Sequence, residues 1–255
     1  MNILISNDDG IESPGILLLA EALEKFAKVT VVAPHRERST SGHSLTLHKP
    51  LRCFEVKPNY FAVTGSPADC VYMGTRLLMK TKPDMIITGV NRGANLGNDI
   101  YYSGTVAAAR EGAYYGVKAI AFSLCLGHHL DKSELHWDSA IQFAKTFVPL
   151  VSKKEFPLNR IINVNIPNVK PAEIKGVKIS KQGMRYYSDD IADRVDPRNR
   201  HYYWLGGEYK GFENIPGSDC VHVDEKFISV TPLKIDCTDY ELVEEFKKWE
   251  VSFQS

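Results

Sequence analysis

Two aspartates stand side by side at Asp8 and Asp9, within Asn7-Asp8-Asp9-Gly10. Adjacent carboxylates on a short loop repel each other. A hard divalent cation relieves that repulsion, because Mg²⁺ and Mn²⁺ prefer oxygen ligands. The competing reading is a plain turn, since Asp-Gly is a favoured hairpin pair. The residues that follow have helical rather than alternating apolar spacing, so no second hairpin strand is expected. Ser39, Asn91 and Asn95 could add neutral oxygens. Taken singly, each reads more readily as a cap or turn residue, Asn91 and Asn95 lying among Gly89, Gly93 and Gly97, so the case rests on their joint placement. Ser103-Gly104-Thr105 opens a helix. Free backbone N–H groups at a helix start suit a phosphate, and glycine lets the backbone come close to it. A plain N-cap is the alternative there. A cation site beside an anion seat points to phosphoryl chemistry, in which a metal polarises a phosphoryl oxygen or lowers the pKa of bound water.

These residues need a frame that gathers them. Residues 2–6, Val29–Ala33, Asp84–Val90, Lys118–Leu124 and Arg160–Pro167 read as short, nearly continuous apolar strands, suited to burial on both faces of a parallel sheet. Between them lie helical stretches. Ser13-Pro14 supplies an N-cap and a first-position proline, with Ile16, Leu19, Ala20 and Leu23 at helical spacing and Leu17 and Leu18 widening that face. Ser66-Pro67-Ala68-Asp69 has a capping-box pattern. Val106–Tyr115 and residues 134–152 look helical. The alternation predicts an α/β, Rossmann-like, doubly wound, mostly parallel sheet. Sites in such sheets form beyond the carboxyl ends of the strands, where Asp8 and Asp9, Ser39, Asn91 and Asn95, and Ser103 would converge from distant segments.

Past Pro167-Asn168 the character changes. Residues 184–204 mix four Arg, four Asp, four Tyr and one Trp. The charges cancel and the aromatics argue against disorder, so the segment packs either on another subunit or as a hairpin on its own chain. Asp239–Trp249 reads as a closing amphipathic helix. This divides the chain into a catalytic core, 1–168, and a smaller, β-rich C-terminal portion, 169–255.

Thirty-one Lys and Arg balance 31 Asp and Glu, so there is no excess positive charge to favour nucleic acid or an anionic membrane. No stretch approaches the 18 apolar residues of a membrane span, and the N-terminal residues do not read as a signal peptide. Cys53, Cys70, Cys125, Cys220 and Cys237 are odd in number and lack a Cys-x-x-Cys pair, which fits reduced thiols in the cytoplasm. Dinucleotide, P-loop, zincin and nucleophile-elbow fingerprints are absent. His128, His129 and His136 read as a surface loop.

Taken in order, several motifs resemble one family. They are Ser6-Asn7-Asp8-Asp9-Gly10, Val32-Ala33-Pro34 through Arg38-Ser39, Gly42-His43-Ser44-Leu45-Thr46, Gly65-Ser66-Pro67-Ala68-Asp69-Cys70-Val71, Gly89-Val90-Asn91-Arg92-Gly93-Ala94-Asn95-Leu96-Gly97 and Tyr102-Ser103-Gly104-Thr105-Val106. The chain resembles the stationary-phase survival protein SurE family of metal-dependent 5′/3′-nucleotidases. Weaker echoes follow at Asn163-Val164-Asn165-Ile166-Pro167, Gln182-Gly183 and Ser229 to Leu233. His35 and Ala94 depart from the residues usual in the family, as does the Lys226-Phe227 approach to Ser229.

The resemblance implies one divalent cation, Mg²⁺ or Mn²⁺, held by Asp8, Asp9, Ser39 and Asn91. It implies phosphate contacts from Asn95, Ser103, Gly104 and Thr105, a nucleoside monophosphate substrate with some action on short polyphosphate, and a homodimer or homotetramer whose C-terminal portions exchange elements. Asp8, Asp9 and Asn95 are then the catalytic candidates. Which group takes the proton of the attacking water stays open, as does a covalent route through Asp8. The non-catalytic alternative is a nucleotide- or phosphate-sensing module.

Overall fold

The computed structural model describes residues 1–126, 134–155 and 157–249. His128 and His129 lie outside these residues. The chain runs β1 (Asn2–Ser6), α1 (Pro14–Glu24), β2 (Lys28–Pro34), β3 (Cys53–Lys57), β4 (Tyr60–Val63), α2 (Pro67–Met73), β5 (Met85–Arg92), α3 (Gly104–Tyr114), β6 (Lys118–Cys125), α4 (Trp137–Ser152) and β7 (Arg160–Pro167). It continues with β8 (Val177–Ile179), β9 (Arg185–Tyr187), β10 (Ile191–Val195), β11 (His201–Leu205), β12 (Tyr209–Phe212), α5 (Asp219–Asp224), β13 (Ile228–Lys234) and α6 (Tyr240–Phe246).

The central strands β4-β2-β1-β5-β6-β7 are all parallel. Counted along the chain, these six strands follow the doubly wound order 3-2-1-4-5-6. Their side chains alternate between two faces. Ile3, Ile5 and Val31 face one layer with Ile16, Leu19 and Leu23 of α1 and Ala140, Ala144 and Val148 of α4. Leu4, Val32 and Ile86 face the other with Val71 of α2 and Val106, Ala109 and Ala113 of α3. Both faces are therefore covered, which is why these strands are apolar throughout rather than at every second residue. The expected α/β architecture is the one observed.

Several local expectations are corrected. The third parallel strand is β4, preceded by the antiparallel edge strand β3, and neither stands out in the sequence. Leu17 and Leu18 do not widen the buried stripe of α1; they are 37% and 38% exposed, on the side away from the sheet. Ser13 does sit at the N-cap with Pro14 after it, but its hydroxyl caps nothing. It accepts a hydrogen bond from Asn7 Nδ2 at 2.8 Å instead. The capping box at Ser66 and Asp69 forms as expected.

The sheet does not stop at residue 168. β13 pairs antiparallel with β7, and β8 pairs with β13, giving nine strands. Within 184–204, β10 and β11 pair as an antiparallel hairpin with every residue of both strands exposed, while β9 pairs with β12. α6 forms within the expected closing helix, and it buries no residue against the described chain.

Candidate active site

The switch point of the sheet lies between β1 and β5, where connections leave in opposite directions and open a crevice at the carboxyl ends. Asp8 and Asp9 follow β1, and Asn91 is the last residue but one of β5. The loop that carries the two aspartates is braced internally. Asn7 is fully buried and donates through Nδ2 to the Gly10 carbonyl at 2.9 Å. Gly10 has φ +102°, and a Cβ there would lie 3.2 Å from the Arg36 backbone. The loop can therefore lie directly on the segment leaving β2, and Arg38 N–H donates to the Asp8 carbonyl at 2.7 Å.

Asp8 is 5% exposed and points at the start of α3. The Thr105 hydroxyl donates to its Oδ1. A Cβ on Gly104 would lie 2.8 Å from both the Cβ and Oδ2 of Asp8, so no larger residue fits between helix and carboxylate. Burial pushes the Asp8 carboxyl above its ordinary range, while the Thr105 hydroxyl and the backbone N–H groups of Thr105 and Gly104 pull the other way. Asp9 accepts from Arg92 N–H at 3.3 Å. Burial, then the neighbouring Asp8 charge, push its carboxyl up to about 7. None of the described ion pairs involves either aspartate.

A cavity of about 760 Å³ opens on this pair. Asp8, Asp9, Ser39, Asn91, Asn95 and Ser103 all line it, so the segments expected to converge do so. Asn91 donates through Nδ2 to the Gly93 carbonyl at 3.0 Å, which leaves its side-chain carbonyl oxygen as a neutral donor for a cation. Ser39 donates to Glu37 Oε1 at 2.5 Å. Among the described residues no three His, Cys, Asp or Glu side chains gather where they could hold a metal. The donor set that fits is two carboxylates completed by hydroxyl and amide oxygens, a hard, oxygen-only set suited to Mg²⁺ or Mn²⁺. A buried and a half-buried carboxylate side by side, with no cationic side chain paired to them, are the arrangement a divalent cation would relieve.

Asn95 is held from three sides. Its Nδ2 donates to Ser123 Oγ at 2.8 Å, and its N–H donates to Asn165 Oδ1 at 2.9 Å. Its carbonyl accepts from Asn163 and Asn165 at 2.8 and 2.9 Å. Ser103 N-caps α3, accepting from Val106 N–H at 3.0 Å. Thr105 is fully buried and does not line the cavity. Its hydroxyl lies behind Asp8, so the anion that part of the α3 start receives is the chain's own carboxylate.

Sequence reasoning missed several contributors. Glu37 and Asp99 line the cavity, making its lining acidic, with Arg92 as a cation. The supports Asn163 and Asn165 did leave a signal: two polar residues at strand spacing inside an apolar run. The 39–46 segment is seated by His43 Nε2, 2.7 Å from Glu111 Oε2 of α3, and by Thr46, whose N–H and hydroxyl donate to Asp69 at 2.9 and 2.6 Å. Burial alone would raise the Glu111 carboxyl, but hydrogen bonds from His43 and Tyr115 hold it below its usual range.

Comparison with known proteins places this arrangement among relatives. The model of the family described as Survival protein SurE matches residues 3–189. The 5′-nucleotidase SurE of Geobacter sulfurreducens is 46% identical over 252 residues, covering 99% of this chain and 95% of that protein. The 5′-nucleotidase SurE of Geotalea daltonii is 44% identical, covering 98% of this chain and all of that one. The crystal structure of the SurE protein from Aquifex aeolicus superposes with a TM-score of 0.85 at 38% identity, covering 98% of this chain and 100% of its own. With the family model spanning most of the chain and relatives matching it almost end to end, the protein belongs to the SurE family.

Proposed function

We propose that the protein is a metal-dependent phosphomonoesterase, a 5′/3′-nucleotidase that hydrolyses nucleoside monophosphates to nucleoside and phosphate, with short polyphosphate as a further substrate. The observation that carries this reading is the Asp8–Asp9 couple at the switch point, Asp8 buried and Asp9 half-buried with no ion-pair partner, facing the same cavity as Asn95 and Ser103. The relatives named 5′-nucleotidase supply the substrate class.

Asp8, Asp9, Ser39 and Asn91 would hold one divalent cation, Mg²⁺ or Mn²⁺. Bound there, the cation supplies positive charge to a phosphoryl oxygen and acidity to a coordinated water. Thr105 and Gly104 fix the Asp8 carboxylate so that it needs no reorganisation during the reaction. Asn95, locked by Ser123, Asn163 and Asn165, presents its side chain to the phosphoryl group. Ser103 at the start of α3 holds a remaining oxygen, while the Gly104 backbone, expected at the phosphate, is turned to Asp8. Asp9 is the less buried carboxylate of the pair, which makes it the better placed of the two to accept a proton.

Residues 1–168 act as the catalytic core and 169–255 as the portion through which chains associate into a dimer or tetramer. The enzyme works in the cytoplasm. No described helix is long and apolar enough to cross a membrane.

Phosphate release from nucleoside monophosphates, measured with each cation and with chelator, tests the reading. Asp8→Asn and Asp9→Asn are each expected to lower kcat/KM by at least about 100-fold while folding normally. Near-normal turnover by both folded variants would overturn the mechanism. Tight binding without turnover in the wild type would favour a sensor.

A further inference from the structure

The catalytic groups occupy only part of the cavity. Its volume of about 760 Å³ lies within the about 300–1,000 Å³ typical of small-molecule sites, far more than a phosphate needs. The rest of the lining contains three aromatic rings, Tyr102, Trp137 and Tyr187, brought in by three separate parts of the chain. Tyr102 directly precedes Ser103, and its backbone is pinned on both sides: its N–H donates to the Asp99 carbonyl at 3.0 Å, and its carbonyl accepts from Gly42 N–H at 3.2 Å. Trp137 is the first residue of α4, partly buried and packed against the main core. Tyr187 ends β9 in the C-terminal portion. Its hydroxyl donates to Asp99 at 2.6 Å, and its ring packs edge-on against Tyr209 at 5.7 Å.

Large rings are costly to leave facing water without a use, and each of these has a different local reason to be elsewhere: a loop end, a helix start, a strand end. Their shared feature is the cavity. Tyr102 is 67% exposed and Tyr187 is 42% exposed, so their faces are open to a ligand. Trp137 and Tyr187 are already fixed by packing and hydrogen bonding, and binding to them loses little side-chain freedom. A planar heteroaromatic base has π faces that stack on such rings without regard to its hydrogen-bonding edge.

We propose that Tyr102, Trp137 and Tyr187 form the nucleobase-recognition wall of the site. Resting on the nucleotidase reading, this makes the wall the element that separates nucleotides from other phosphate esters. It also makes the site tolerant of base identity, because stacking reads shape and not the Watson–Crick edge. The Asp99–Tyr187 hydrogen bond, backed by the Arg185 ion pair to Asp99, makes Asp99 a positioning residue for one ring.

The test compares a nucleoside monophosphate with ribose 5-phosphate, the same ester without a base. The wild type is expected to favour the nucleotide in kcat/KM. Trp137→Ala and Tyr102→Ala should each cut that preference about 5- to 150-fold, chiefly through KM for the nucleotide. Trp137→Phe should retain most of it. Tyr102 is exposed enough that its replacement cannot be confused with a folding defect. Loss of activity on both esters in parallel in Trp137→Ala would assign Trp137 a structural role, and an unchanged preference in Tyr102→Ala together with that result would overturn the wall. A wild type that hydrolyses nucleotides but does not prefer them to ribose 5-phosphate would also overturn it while leaving the nucleotidase reading intact. A wild type inactive on every nucleotide would remove the nucleotidase reading itself.

Discussion

A carboxylate buried beside another carboxylate is protonated before it is tolerated. Asp9 illustrates the consequence, since its carboxyl rises from 3.8 to about 7 through burial and then the charge of Asp8. The folded, metal-free chain therefore binds a proton that the unfolded chain has released, over the interval from 3.8 to about 7. The folded carboxyl is the weaker acid, so metal-free stability falls as pH rises through that interval and levels off above it. A cation requires the ionised form, so its stabilising effect grows over the same interval. Thermal melts with excess Mn²⁺ or with chelator should show a Tm gap that widens from about pH 5 to about pH 8. A gap of constant width would mean that Asp9 is not part of the cation site. The adjacency of Asp8 and Asp9 was legible in the sequence. The role of Thr105 was not, because its hydroxyl reaches a carboxylate 97 positions away, and nothing local in Ser103-Gly104-Thr105 distinguishes a phosphate seat from a carboxylate clamp.

Elements set how firmly those side chains are held. The 39–46 segment has no regular structure, yet it is tied at His43 to α3 and at Thr46 to the capping box of α2. One carboxylate, Asp69, thus both caps a helix and anchors the segment that carries Ser39. Glu111→Gln removes the charge that faces His43 while preserving shape. It should weaken cation affinity about 10-fold, the scale typical of groups that support metal ligands, with a smaller effect on Tm. Isothermal titration with Mn²⁺ checks this, and unchanged affinity would make the His43–Glu111 contact a matter of stability alone. The core strands were readable because burial on both faces leaves unbroken apolar runs such as Val29–Ala33. β3 was not, because Phe54 and Val56 are exposed at the sheet edge and the hairpin to β4 turns at Asn59, whose φ of +64° is the one local sign of it. Leu17 and Leu18 misled because apolar residues next to a helical stripe look alike whether or not anything covers them.

Across the whole molecule, the exposed apolar surface is concentrated late in the chain. Tyr203, Trp204 and Leu205 on β11 are 61%, 64% and 85% exposed, and a lone two-stranded hairpin is marginal in water. Leu242, Val243 and Phe246 of α6 are also uncovered. Surfaces of this kind commonly mark association sites. Replacing residues 191–205 with a short Gly-Ser loop is expected to lower the mass seen by light scattering and leave the nine-stranded sheet folded by circular dichroism. An unchanged mass would place the contacts between chains elsewhere.

Only Ser188, Asp189 and Asp190 separate the ring of Tyr187 from the start of that hairpin. A neighbour gripping β10 and β11 would therefore tug, over a tether three residues long, on a ring that lines the cavity. Assembly and ligand capture would then be thermodynamically linked, each shifting the other's equilibrium by the same factor. Dilution alone would loosen the hold on substrate, and saturating substrate would draw subunits together.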